Sequence, residues 1–151
     1  MTLSSVAYCQ ENQEKPKDTT KEKIAEVTFF LVGGGRPGFI KLKITRDSIC
    51  YQIEDYSAAT STTSLIVKQE KNSRKNWFAL ISSINLANFD TLKSAKPQSP
   101  VDGEDQIITI NTQIREHRLI LDSGHSGPIH NFIVQIEALL KKFNAKARIL
   151  Y

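Results

Sequence analysis

Cysteine is nearly missing from this chain. Cys9 and Cys50 are the only two in 151 residues. If Cys9 is removed or acylated, as considered below, Cys50 is the last thiol. One thiol makes no internal disulfide, zinc cluster or redox pair. No apolar stretch approaches the ~18 residues that a membrane-spanning helix requires. Positive charge is not concentrated either. The formal net charge is +4, and the lysines are scattered without a dense Lys/Arg block or interleaved aromatics. A nucleic-acid groove needs a concentrated basic footprint, so that class is set aside. No cofactor fingerprint and no paired carboxylates stand out. What is there, 40% apolar and 24% charged residues, is the composition of an ordinary folded domain. The length suits one domain with a real core.

Met1 to Cys9 (MTLSSVAYC) is short, small and apolar, and the chain turns polar at Gln10. It has the form of the second half of a signal peptide, with Ala7 and Cys9 at −3 and −1 of a cleavage site after Cys9. On that expectation the protein is exported, to the periplasm or beyond, and Met1 is an internal methionine. A lipoprotein acylated at Cys9 fits less well, because Tyr8 occupies a small-residue position. With Met1 as the true start, the protein is cytoplasmic. Gln10 to Lys23 holds no apolar residue and is expected to be a solvated tether. The domain proper is expected over residues 24–144, with 145–151 a basic tail or edge strand.

Four strands come first. Ala25 to Val32 is β-branched and aromatic. Phe39 to Thr45 alternates, with Ile40, Leu42 and Ile44 on one face and Lys41 and Lys43 on the other. Ile49 to Glu54 repeats the pattern, with Ile49, Tyr51 and Ile53 inward and Cys50 outward. Ser61 to Gln69 makes the fourth strand, with Leu65 and Val67 expected inward. The period then changes. Asn72 or Ser73 can cap a helix carrying Trp77, Leu80, Ile81 and Ile84, with Phe78 and Phe89 adding to its packing. After a Pro-containing loop, Gln106 to Thr112 and Glu116 to Asp122 form a hairpin. A closing helix follows, capped by Gly127 or Ser126 with Pro128 at its first position. Its stripe is Ile129, Phe132, Ile133, Ile136, Leu139, Leu140 and Phe143. Strands and helices are segregated, so the expected class is α+β. The sheet is antiparallel with about six strands and two helices on one face, in the order ββββαββα.

Several motifs suggest chemistry. Gly33-Gly34-Gly35-Arg36-Pro37-Gly38 spaces two glycines as in a phosphate-binding loop. Phe39 and Ile40 stand where Lys and Ser/Thr are needed, and a strand follows in place of a helix. A wide hairpin loop with positive-φ glycines is expected, and these six residues are the candidate partner-binding surface. Gly124-His125-Ser126-Gly127-Pro128 approaches a nucleophile elbow, but Pro128 replaces the final glycine. Asp122, His125 and Ser126 sit within five positions, whereas triad members converge from distant segments. His125 and His130 are five apart and lack helical zinc-site spacing. The reading is therefore non-enzymatic, with no cofactor and no metal.

The layout resembles that of small bacterial proteins related to emfourin, the proteinaceous inhibitor of thermolysin-like metalloproteases. The matching pieces are Phe29 to Phe39 (FFLVGGGRPGF), the helix around Trp77 to Ile84, Asp105-Gln106-Ile107 opening the hairpin, and Pro128 to Leu140. Arg36-Pro37 in the glycine turn and the strand pair Ile49 to Gln69 are additions to that plan. The resemblance implies a secreted or periplasmic protein that binds a protein partner, a protease or an envelope component. An inhibitor would place the glycine turn or a sheet edge in the enzyme cleft. The other reading is an envelope-associated or small-ligand-binding module with an apolar pocket on the sheet's concave face.

Overall fold

The computed structural model describes residues 22–33, 36–57, 59–98, 103–121 and 127–143. The strands are β1 (Ile24–Gly33), β2 (Arg36–Thr45), β3 (Ser48–Ser57), β4 (Thr62–Lys71), β5 (Glu104–Thr112) and β6 (Glu116–Ile120). The helices are α1 (Arg74–Ser82), α2 (Leu86–Asp90) and α3 (His130–Lys142). The strands form one antiparallel sheet in the spatial order β4-β3-β2-β1-β5-β6. The α+β class and the six-stranded antiparallel sheet follow the alternation in the sequence.

The strand parity is as expected in β1 to β3. Val27, Phe29 and Leu31, then Ile40, Leu42 and Ile44, then Ile49 and Tyr51 are buried. Their register partners align them into rows such as Ile108–Phe29–Leu42–Tyr51. The α3 stripe of Phe132, Ile133, Ile136 and Leu140 is buried in the same core. Phe143 stacks on Tyr51 with ring centroids 5.3 Å apart. Asn72 ties the end of β4 to the β2–β3 turn. Its side-chain amide donates to the Thr45 carbonyl at 2.7 Å and its backbone N–H to the Asp47 carbonyl at 3.0 Å.

Two expectations about the helices are corrected. The run from Trp77 onward is two helices, so the order is ββββααββα. Ser82 Oγ donates to the Phe78 carbonyl and Ser83 Oγ to the Leu80 carbonyl. These local side-chain bonds compete with continuation of the helix, and the Ser83 N–H turns back to the Leu80 carbonyl where α1 ends. Asn85 then caps α2 by accepting from the Asn88 N–H at 3.2 Å. Ser73 caps α1 as expected, accepting from the Asn76 N–H. The closing helix begins later than expected, with Ile129 at its N-cap and no side-chain cap bond. Gly127 and Pro128 lie in the turn before it, and Ser126 lies outside the described residues.

Trp77, Leu80 and Phe89 are buried, but Phe78 is 53% exposed and adds little to the packing expected of it. Phe132→Ala should therefore lower stability by about 3–5 kcal/mol. Phe78→Ala should stay within about 0.5 kcal/mol of the parent. Urea unfolding followed by circular dichroism measures both.

Candidate functional site

The Gly33 to Gly38 turn joins the two central strands. Gly33 (φ 92°) and Gly38 (φ 122°) do adopt positive φ. Gly34 and Gly35 lie outside the described residues. The strands run further into the motif than a wide loop allows, because Gly33 pairs with Arg36 and β2 already includes Arg36, Pro37 and Gly38. Gly38 has a structural task. A Cβ there would lie 2.0 Å from the Glu54 carbonyl oxygen of β3, so the backbone approach demands glycine. Register places this turn at the same end of the sheet as the end of β3, the start of β4 and the start of β5.

That end of the sheet carries an exposed apolar arm. Leu65 is 59% exposed, Ile66 47%, Val67 52% and Tyr56 39%. The expectation that Leu65 and Val67 point inward is overturned. Their register partners are Glu54 and Gln52, which share the face opposite the helices, while Ile66 pairs with Ile53 on the helix side. The reason is position. β4 is the terminal strand of the sheet, and the helical layer ends at Tyr51 and Glu70, which Phe143 and Lys142 touch.

The two sheet edges are managed differently. Beside β6, the Ala95 N–H donates to the Ile120 carbonyl at 3.0 Å and the Ile120 N–H to Ser94 Oγ at 3.0 Å. The chain after α2 thus covers that edge at Ile120. β4 pairs with β3 over ten consecutive residues without a bulge, and no described strand pairs with its other side. It contains no proline. An edge of this kind is a ready template for another strand.

A second cluster holds the other end of the sheet together. His117, an inward residue of β6, is 3% exposed. Its Nδ1 lies 2.6 Å from Asp90 Oδ1 and its Nε2 2.9 Å from Glu22 Oε2. Arg115 donates to Glu22 Oε1 at 3.2 Å and to Asp90 Oδ2 at 2.8 Å. The buried ring is thus held between two carboxylates, one at each nitrogen. The hydrogen bond from His117 holds the Glu22 carboxyl below its ordinary range against the opposing effect of burial, and the Arg115 charge adds to it. This network joins the segment before β1 to α2 and β6. The sequence reading placed Glu22 in the tether. The signal available was the parity of His117 with Leu119 in β6.

An open groove of about 1100 Å³ lies between α1, α2 and the start of β1, lined by Ile24, Trp77, Phe78, Ile81, Leu86 and Arg46 among others. It is formed by helices and a strand end and does not sit on the concave sheet face. Asp122, His125 and Ser126 lie outside the described residues, and Cys50 is half-buried on β3. No described group of three or more His, Cys, Asp or Glu is arranged to hold a metal. Among the described residues, no helix is long and apolar enough to cross a membrane. No family model matches the chain, and a search of curated proteins returns no match.

Gly38→Ala should cost more than about 1 kcal/mol, because positive φ and the Glu54 carbonyl both oppose a side chain. The Glu22 network sets a pH dependence. A carboxyl held low in the folded state stabilises above its unfolded pKa, and that contribution is lost as pH falls through the folded one. Urea midpoints measured from pH 7 down to pH 3 should fall, and Glu22→Gln should flatten part of that fall.

Proposed function

We propose that this chain is a non-enzymatic protein-binding module that docks its partner at the glycine-turn end of the sheet. The observation that carries this reading is the Leu65-Ile66-Val67 run, exposed on an edge strand that the helices do not cover. Consecutive exposed apolar residues at a strand edge are costly to keep in water and favour association. Gly33 and Gly38 flank the turn between β1 and β2 at the end of the sheet where β4 begins, and that turn would present backbone to a cleft. The emfourin-like layout supplies the partner class, a thermolysin-like metalloprotease met outside the cytoplasm. Titrating the full chain against such a protease should remove cleavage of a reporter peptide stoichiometrically. Unchanged cleavage with the chain in molar excess over the protease and at a concentration about a hundred times a micromolar dissociation constant would end the protease assignment.

The groove favours a second reading, a module that holds a small amphiphile. Trp77, Phe78, Ile81 and Leu86 give it apolar walls, and Lys23 and Arg46 bring positive charge to it. Titration with 1-anilinonaphthalene-8-sulfonate, followed by probe and Trp77 emission, should show saturable one-to-one binding that Ile81→Lys removes. Staining that never saturates and ignores this substitution rules the reading out.

A further inference from the structure

We infer that β4 pairs with β4 of a second copy of this chain, antiparallel and about a two-fold axis at Ile66, giving one continuous twelve-stranded sheet. The inference rests on the reading of β4 as an adhesive edge and names its occupant. Three observations select a second copy over an unrelated strand.

The first is self-complementarity. Antiparallel strands related by a two-fold axis normal to the sheet pair residues of equal parity. Centring on Ile66 therefore sets Leu65 against Val67 twice and Ile66 against itself. On the helix side the existing Ile53–Ile66 pair extends into a row of four isoleucines across the junction. Each apolar residue that water now reaches is covered by another.

The second is charge. In this register Lys68 faces Ser64, Gln69 faces Thr63 and Glu70 faces Thr62, so no like charges oppose each other. Ser64 is small, and its register partner within the same copy is Asp55. Lys68 of one copy thus extends over Ser64 toward Asp55 of the other, twice by symmetry. Lys68 and Asp55 make no ion pair with one another or with other side chains among the described residues.

The third is closure. At the opposite edge Ser94 and Ala95 occupy the backbone groups of Ile120, and β6 has only 5 residues against 10 in β4. β4 is therefore the one long edge each copy offers, and pairing through it about a two-fold axis closes at two.

The test is the mass of the full chain by light scattering across a concentration series. A dimer that dissociates on dilution is expected. Ile66→Lys places two ammonium groups on the two-fold axis and should weaken association by roughly a hundredfold or more. Circular dichroism should show that this variant keeps its fold, since Ile66 is half exposed already. Lys68→Asp and Asp55→Lys should each weaken the dimer, and together restore it. A monomer at every concentration overturns the inference, as does a dimer indifferent to Ile66→Lys or a pair of charge swaps that fails to rescue. A monomer that still inhibits a protease stoichiometrically would overturn the pairing and leave the protein-binding reading standing.

Discussion

The helices bury the sheet unevenly, and most features of this protein descend from that gradient. One row of the sheet displays the consequence. Leu31 is 3% exposed and Ile40 4%, Ile53 is half-buried and Ile66 is 47% exposed. The core is dense under the helices and thins toward β4. Stability and adhesion are thus separated in space: the buried rows hold the fold, and the uncovered strand has apolar surface to spare for a partner.

Both ends of that sheet need an answer to the edge problem, and the chain uses different means. At β6 it spends a connecting segment, with Ser94 and Ala95 satisfying the Ile120 backbone. At the base of β6 it adds the His117 network, which fastens Glu22 and Asp90 around a buried ring. Removing Glu22 or Asp90 leaves one nitrogen of the buried His117 ring without its partner, so the network specifies one arrangement of the segment before β1, α2 and β6. At β4, Asn72 fastens the end of the strand to the β2–β3 turn and Lys142 pairs with Glu70, while no described strand pairs with its free edge. The contrast is why the proposed contact falls at β4 and not at β6.

The sheet was legible in the sequence because period-two alternation and burial agree in β2, β3 and β5, where one face is covered and the other is wet. The α3 stripe was legible for the same reason at period 3.6. β4 was misread because Leu65-Ile66-Val67 is a run without alternation. Such a run fits burial on both faces or on neither, and parity within the strand cannot choose between them. The choice depends on rank within the sheet, which is a property of topology. The break between α1 and α2 was hidden in Ser82, Ser83 and Asn85, whose hydroxyls and amide compete with the helix backbone through local bonds. Gly33 and Gly38 were legible as positive-φ positions, but the approach of Gly38 to Glu54 depends on a neighbouring strand sixteen residues on.

In the proposed reading, the glycine turn and the β4 edge divide the work of recognition. Gly38 is required by the Glu54 carbonyl, so the β2 end of the turn is held by packing against β3. A surface held in this way binds with less ordering cost than a loop that must be immobilised on contact. The β4 edge is held by its ten-residue pairing with β3 and offers main-chain groups in a fixed spacing. Strand addition takes its affinity from that backbone ladder and its selectivity from the side chains on either face. Those side chains, Leu65, Ile66 and Val67 flanked by Lys68 and Ser64, match best the antiparallel copy of themselves. With that edge closed by a second copy, the two glycine turns lie on one doubled sheet, and a partner that reaches both meets a bivalent surface.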